Sequence, residues 1–433
     1  MLIPSSGKKD PESYNLNQNT KVPLLMIYNK DIALLGAFCL FLSAVEYMIP
    51  KPLPFMRIGL ANLPLMLTLD IFPLPAFLVL VCIKVLGQAL ITGTLFSYIF
   101  LFSLTGTFLS ALLMYFLRKI SGLNLQKDRN LTFTGISTAG AMVSNLSQLA
   151  LAYVFIFKEN VIYIMPLFLL SGLITGIILG IFCEIFTKRS QWYLQRSFQN
   201  CNEKIENRNE EGGEGKKQTG DIKDEKFENY KERGGKRLDV FENIFNARVL
   251  FITGLIIMPA LLFNPGTEYR VVQFLFFLFL VWLSGKKVNL LFTFFIIAGI
   301  TAFNLIIPYG KVLFSAGAFK ITSGALTAGI HRSVTLCALV MLSRITIRQD
   351  LKLPGAFGEL LCKSMYIFSI LMIKKSHITA KNFFKDIDCL LLELSKKDIK
   401  QSADQEKQTK PAGYVILIAV IVISWIPLVI NYF

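Results

Sequence analysis

The sequence predicts an all-α polytopic membrane protein, and three observations lead to that fold class. The chain has 433 residues, of which 53% are hydrophobic and only 17% charged, and its mean hydropathy is +0.53. Apolar runs long enough to span a bilayer recur along it, separated by polar segments. Lys and Arg cluster in a few of those segments. A soluble domain of this size cannot bury so much apolar surface, so we expect lipid to be its solvent.

The formal net charge of +16 does not indicate a nucleic-acid partner. In a soluble chain such a surplus suggests nucleic acid, but here the basic residues lie in loops between apolar runs, as the positive-inside bias describes. The seven Cys contain no CxxC pair, and the only histidines are His331 and His377. The sequence therefore predicts neither a disulfide framework nor a zinc site, and no cofactor.

The first half of the chain contains a series of apolar runs. They lie near 32–49, 57–72, 74–97, 98–117, 131–157 and 161–186, and each is long enough to span the bilayer, or to span it with a tilt or a break. Six spans return the chain to the side where it began. Basic pairs at 118–119 and 188–189 follow the fourth and sixth runs, which predicts that these loops and the N-terminal tail, 1–29, are cytoplasmic. The Pro50–Pro54 loop is then expected to face outward.

A polar segment divides the chain into two parts. Residues 189–246 are rich in Glu, Lys, Asn and Gly, a composition that cannot bury enough surface to fold, so we expect a disordered cytoplasmic linker. Further apolar runs follow near 248–263, 271–285, 288–308, 321–343 and 413–431. The basic, amphipathic segment 344–410 is predicted to be a cytoplasmic helical insert.

Two charged residues flank a proline-rich break between the first two runs. Glu46 ends one run and Arg57 opens the next, while three prolines from Pro50 to Pro54 exclude a helix between them. An ionisable residue within a membrane is a functional hypothesis by default. Either the pair lies at the headgroup level and anchors a hairpin, or the prolines stiffen a loop that gates a polar pocket.

Polar side chains within the spans extend that hypothesis. Lys84 and Gln88 lie one turn apart on one face of the third span, and Asn145 and Gln148 share a face of the fifth. Buried amides also join transmembrane helices without any ligand, so packing is an alternative for them. An ammonium at mid-span needs a partner, such as Glu46 or an anionic ligand. The candidate substrate-binding residues are Glu46, Arg57, Asn62, Lys84, Gln88, Asn145 and Gln148.

Common catalytic motifs are missing from the sequence. It contains no Asp-Asp-x-x-Asp cluster, no GxxxxGK[ST] phosphate loop, no GxSxG elbow and no HExxH. We therefore expect that the chain alone is not an enzyme.

The first half resembles a known family. The resemblance covers about 30–188 and is carried by Glu46…Ile49-Pro50, Arg57-Ile58-Gly59-Leu60-Ala61-Asn62, Lys84…Gly87…Gly93-Thr94, and Gly135-Ile136-Ser137…Asn145-Leu146-Ser147-Gln148. This order is similar to the Gx transporter family, also called heptaprenyl diphosphate synthase component I, which resembles the substrate-binding S-subunits of energy-coupling factor transporters.

The resemblance implies a six-helix S-component-like bundle that binds a small vitamin or cofactor-type molecule. It also implies that Ala33 and Ala37, four residues apart, form a contact strip for a partner subunit. Family members usually carry Arg where this chain has Lys84, which keeps the charge but loses bidentate anion binding.

The second half, 247–433, resembles the T-subunit of those transporters. The resemblance rests on Ile321-Thr322-Ser323-Gly324-Ala325-Leu326-Thr327-Ala328-Gly329 leading into Arg332, and on Leu342-Ser343. It implies a T-component-like bundle of about five helices, with separate ATPase subunits as partners. No Ala-Arg-Gly triplet lies between Arg344 and Lys410, so ATPase coupling is either absent or made through other contacts.

Together these features predict a fusion of an S-like and a T-like domain in the inner (cytoplasmic) membrane of a prokaryotic cell, with uptake of a small molecule as its function. Two alternatives remain. One is a non-catalytic membrane subunit for heptaprenyl diphosphate or quinone synthesis, and the other is a membrane subunit of flavin-linked electron transfer.

Overall fold

The computed structural model describes most of the two predicted membrane domains. The described residues are 24–48, 59–123, 131–196, 241, 244–286, 288–316, 319–348, 351, 353–373, 383–396 and 409–432. The tail 1–23, the Pro50–Pro54 loop, Arg57, most of the predicted linker and parts of the insert lie outside them. The described chain is predominantly helical, so the all-α fold class is confirmed.

The first half forms a bundle of helices. Its elements are α1 (Leu24–Met48), a 3₁₀ turn (Leu60–Asn62), α2 (Leu63–Leu67), α3 (Leu74–Thr92), α4 (Tyr98–Leu123), α5 (Phe133–Ala152) and α6 (Val161–Arg189). A π turn (Tyr153–Phe157) and a 3₁₀ turn (Lys158–Asn160) join α5 to α6.

The second half contains further helices and one small sheet. Its elements are α7 (Ala247–Leu262), α8 (Thr267–Leu283), α9 (Leu290–Asn304), β1 (Val312–Ala316), β2 (Phe319–Thr322), α10 (Ser323–Thr346), α11 (Gly355–Ile373), α12 (Phe383–Lys396) and α13 (Pro411–Tyr432). The two strands pair antiparallel just before α10, an element that the sequence analysis missed.

Seven stretches of the described chain are long and apolar enough to cross a membrane. They are Tyr28–Glu46, Leu74–Thr92, Tyr98–Ser121, Phe133–Arg189, Ser323–Thr346, Gly355–Ile373 and Pro411–Ile430. The fourth contains both α5 and α6. Large apolar side chains are exposed along α6, α8 and α13, as expected of faces that meet lipid. A multi-pass membrane protein is therefore confirmed.

The second apolar run, 57–72, is a broken span and not one continuous helix. Its described part is helical only over 60–67, and residues 68–71 form a turn in which Thr68 Oγ1 donates to Leu65 O at 2.8 Å. Pro73 then disfavours a helical conformation for the residue before it. The segment is a short, broken helix.

This broken segment nevertheless crosses the first bundle. Gly59 N donates to Glu46 Oε2 at 3.1 Å near the end of α1. Phe72 packs against Tyr28 near the start of α1, with ring centroids 5.3 Å apart. The two ends of the segment therefore lie at opposite ends of the bundle, as the six-span prediction requires.

Polar contacts tie together the end of the first bundle that the sequence places in the cytoplasm. Arg118 pairs with Asp70 at 2.7 Å, and Arg196 pairs with Asp31 at 2.8 Å. Tyr193 donates its hydroxyl to Asp70 at 3.2 Å, and burial raises the pKa of that hydroxyl. The start of α1, the turn after α2 and the end of α4 therefore meet here.

Small residues let α5 and α6 approach closely. Gly172, Gly176 and Gly180 recur every four residues on α6 and face α5. A Cβ atom at Gly176 would lie 2.8 Å from Thr138 Cα, closer than a real side chain permits. The contact is therefore between backbones, as in other small-residue interfaces of membrane helices.

Ordered structure continues past the predicted linker boundary at residue 189. Residues 191–196 are helical, and Trp192 is buried in the first bundle. Asp388 of α12 accepts hydrogen bonds from Ser190 Oγ, from Gln191 N at 2.9 Å and from Trp192 N at 3.1 Å. Asp388 thus caps this helical turn, and the linker boundary at 189 was placed too early.

The predicted cytoplasmic insert contains a helix that the sequence analysis did not separate from it. α11 has 19 residues and is apolar enough to cross a membrane. It packs against α1, where a Cβ at Gly36 would lie 2.9 Å from Ser364 Oγ. α12 is the amphipathic part of the insert and buries Ile387 and Leu391.

The two halves share their hydrophobic cores. One core joins α1 and α3 to α11, with Leu35, Phe77 and Leu361 fully or almost fully buried. The other joins α6 to α10 through residues such as Phe168 and Leu339. Each half therefore depends on the other for part of its packing.

α10 crosses one end of the first bundle. The α3–α4 turn contacts it where Phe96 N donates to Ser343 Oγ at 3.3 Å. The α5–α6 connection contacts it where Arg332 Nη1 donates to Ile156 O at 3.1 Å. Ser343 and Arg332 are about 16 Å apart along the helix, so the helices of the first bundle do not run side by side with α10.

Candidate functional site

A polar cavity lies inside the first bundle. Four of the seven predicted substrate-binding residues line it, namely Glu46, Asn62, Lys84 and Asn145. Hydroxyl side chains complete much of the polar lining, and they belong to Thr107 and Ser110 on α4, Ser137 and Ser144 on α5, and Thr175 on α6. The structure thus brings together groups from five helices and the broken second segment.

Glu46 and Lys84 hold the same short segment from two sides. Glu46 is 4% exposed and accepts from Gly59 N, and Gly59 has φ of +90°, a conformation that favours glycine. Lys84 is 2% exposed, and its Nζ donates to Asn62 Oδ1. The segment 59–62 is therefore fixed at its first residue by an acid and at its last residue by a base.

Asn145 both lines the cavity and joins two helices. It is buried, and its Nδ2 donates to Phe168 O on α6 at 2.6 Å. This contact is the helix-packing role that the sequence analysis left open for the buried amides. Asn145 keeps its Oδ1 as a further acceptor.

The structure places Gln148 and Gln88 outside the cavity lining. Gln148 is buried behind it, where its Nε2 donates to Ser144 Oγ at 3.0 Å and its Oε1 has no partner in the described part of the chain. Gln88 is half-buried, and its backbone oxygen accepts from Thr92 Oγ1 at 2.8 Å. Arg57 lies outside the described residues.

The cavity is small in this conformation. Its volume is about 30 Å³, which is room for water, whereas sites for vitamin-sized ligands measure about 300–1,000 Å³. A ligand of that size fits only if part of the wall moves. The segment 59–62 is the part of the wall that is held by side chains and is not embedded in a spanning helix.

The hydroxyl groups of the lining were missed by the sequence analysis. Ser137 and Ser144 lie two turns apart on the helix face that also carries Asn145. That periodicity was visible in the sequence. It is a weak signal, however, because hydroxyls in membrane helices commonly bond to their own backbone, as Ser147 Oγ does to Ser144 O at 2.7 Å.

The predicted contact strip lies inside the molecule. Ala33 and Ala37 are completely buried on α1, which packs against α3 and α11. The helix that carries the strip is therefore covered, at least in part, by the second half of the same chain.

Comparison with known families agrees with the first half of the sequence prediction. Residues 35–186 match the family model of heptaprenyl diphosphate synthase component I, and every cavity-lining residue named above lies in that range. Residues 246–349 match a domain of unknown function, DUF8519, and the resemblance to a T-subunit stays a prediction. No curated protein and no solved structure matches the chain.

Proposed function

We propose that the chain is the membrane component of an energy-coupling-factor-like transporter that takes up a small vitamin or cofactor-type molecule across the inner membrane. The observation that supports this role is the polar cavity in an apolar bundle, with Glu46, Lys84 and Asn145 at its wall. Buried ionisable groups in membrane proteins are costly and mark substrate pathways. The chain would bind and move its substrate without catalysis, with energy from separate ATPase subunits.

The two hydrogen bonds that hold segment 59–62, made by Lys84 and Glu46, suggest how a substrate enters. A ligand with one acceptor and one donor replaces the bonds of Lys84 to Asn62 and of Glu46 to Gly59 N. Because the exchanged bonds are similar in kind, the segment is released at little net cost, and the cavity enlarges. A zwitterionic or amide-bearing molecule fits this pattern best.

Lys84→Met tests the proposal. The change replaces a buried ammonium by an apolar group of similar length, which ends the desolvation cost of the charge but also its hydrogen bond to Asn62. Because these two effects oppose each other, we expect membrane insertion and thermal stability to stay nearly unchanged. Retention of a copurifying small molecule in native mass spectrometry, and its uptake by cells, should be lost. Lys188→Met, at an exposed position near the end of α6, is the matched control and should retain both.

A structural role for Lys84 gives a different pattern. If Lys84→Met lowers the melting temperature, and Glu46→Gln added to it restores stability with ligand retention intact, the two residues form a structural pair. That result would remove the substrate-binding role of Lys84.

A second function is favoured by the name of the matched family. The chain would then be a non-catalytic membrane subunit that supports heptaprenyl diphosphate synthesis. Copurification of a prenyl-chain synthase, without any retained vitamin-like molecule, supports this alternative. Copurified flavin would instead point to the electron-transfer role.

A further inference from the structure

A second cavity, shallow and wide open to its surroundings, lies between the two halves of the chain. Its volume is about 550 Å³, which is in the range of small-molecule sites, about 300–1,000 Å³. Lys158 from the α5–α6 connection lines it on one side. The second half contributes Thr267, Ser323, Thr327, His331 and Arg332.

The cavity wall carries two basic side chains, Lys158 and Arg332. Within the described chain, neither Lys158 nor Arg332 forms an ion pair. Among the residues that the structure describes, Arg332 donates from Nη1 alone, to Ile156 O at 3.1 Å and to Asn304 Oδ1 at 2.6 Å. Those bonds fix the guanidinium and leave its other donors available.

Other groups of the wall add donors without adding negative charge. Thr267 Oγ1 and His331 Nδ1 share a hydrogen bond of 3.1 Å. Glu159 and Glu268 adjoin lining residues in sequence, but both are exposed and neither is among the described lining residues. Thr327 Oγ1 donates to Ser323 O at 2.8 Å, whereas Ser323 and Tyr309 add further hydroxyl groups to the wall. The wall is therefore electropositive.

Lys158 has an unusual backbone conformation. Its φ is 48° and its ψ is −129°, and it is the sole non-glycine residue with positive φ in the part of the chain that the structure describes. This region of φ and ψ favours glycine. The α5–α6 connection thus holds a lysine in a strained conformation at the mouth of the cavity.

We propose that this cavity binds a phosphate group, from either a phosphorylated small molecule or a lipid headgroup. A phosphate group carries up to two negative charges and several strong acceptor oxygens, so it can use both cations and the hydroxyl donors together. A carboxylate has one charge and fewer acceptors. Because Lys158 and Arg332 come from different halves, a bound phosphate bridges the first bundle to α10.

The test is a titration of inorganic phosphate into the full chain, purified in maltoside micelles free of phospholipid. Phosphate is expected to raise the melting temperature as its concentration increases, since it binds the folded state. Chloride at matched ionic strength is the control anion. Calorimetry then measures Kd for the wild type and for each variant.

Three variants separate binding from stability. K158Q is expected to weaken phosphate binding about tenfold, the loss of one charge-assisted hydrogen bond. K188Q removes the same charge near the other end of α6 and should leave Kd unchanged. K158G should weaken phosphate binding as K158Q does. Without phosphate, however, it should melt at the same temperature as the wild type or higher, because glycine adopts this backbone conformation without strain.

The outcome that overturns the proposal is equal phosphate affinity of K158Q and the wild type, or an equal rise in melting temperature with chloride. Repeating the titration in micelles that contain phosphatidylglycerol identifies the source. Loss of phosphate binding there, in the wild type, points to a lipid headgroup as occupant. Unchanged binding points to a soluble phosphorylated compound.

Discussion

Several charged side chains bond to the backbone of a distant segment. Glu46 accepts from Gly59 N, Asp388 from Gln191 N, and Arg332 donates to Ile156 O. Charge-assisted hydrogen bonds are stronger than neutral ones, and in a membrane each such bond satisfies a charge and a backbone group at once. These side chains therefore fix the turns that regular helical bonding does not.

Asp388 gives a test at the scale of one residue. Asp388→Asn is expected to lower the free energy of unfolding by about 1–2 kcal/mol, because an amide has one acceptor oxygen and no charge to cap the 191–196 turn. Thermal unfolding of the purified chain measures this. Glu359→Gln makes the same chemical change at an exposed position on α11. Equal effects of the two changes would exclude a capping role for Asp388.

Single residues show how far the sequence could predict the site. Glu46, Lys84 and Asn145 were identifiable because charged and amide side chains are rare within membrane spans. Gln148 was assigned to the same face as Asn145, but the rotation of α5 leaves it behind the wall. That rotation is set by packing against α4 and α6, which periodicity within one helix does not reveal.

At the scale of elements, the close contact between α5 and α6 can be tested at a glycine of α6, with a glycine of α9 as the control. Gly176→Ala is expected to destabilise the protein by about 1–3 kcal/mol, because the new Cβ overlaps the α5 backbone. At Gly299 on α9, a Cβ would meet no other atom of the described chain within 4 Å. Gly299→Ala should therefore be neutral, or stabilising by up to about 1 kcal/mol through helix propensity. Unfolding in detergent measures both, and equal effects would refute the close contact.

Element boundaries were predictable where length and hydropathy agree. α3, α4, α10 and α13 coincide with predicted apolar runs. α11 was merged into the basic insert because charged segments on both sides lower the average hydropathy of the region. The run 57–72 was expected to span the bilayer, with a tilt or a break as an alternative, and the break lies at the turn 68–71. Apolar composition alone does not locate such a turn.

At the scale of the whole molecule, the shared cores predict how the halves behave when separated. Residues 1–200 and 240–433, coexpressed as two pieces, should associate, because α1 packs on α11 and α6 on α10. Each piece alone should melt at a lower temperature than the pair, since it lacks those packing partners. Copurification through a tag on one piece measures association. Two pieces that are stable and do not associate would contradict the shared cores.

The crossing of α10 over the first bundle has a consequence for topology. The cavity that contains Lys158 lies next to the start of α10, at the end predicted to be outside. In a cysteine-free background, Glu159→Cys should therefore react with a reagent added outside the cell, and Thr219→Cys, in the predicted linker, should not. Labelling of Thr219→Cys from outside would invert the predicted orientation.

The contact between α1 and α11 joins residues that are made at very different times. Gly36 and Ser364 are separated by most of the chain, and ribosomes add about 5–20 residues per second. α1 therefore waits on the order of tens of seconds in the membrane before its partner exists. Its waiting face carries Ala33, Gly36 and Ala37, which leave no polar side chain without a partner in lipid. The small apolar residues that later permit close packing therefore also let the half-synthesised protein expose this face of α1 to lipid without an unsatisfied polar side chain.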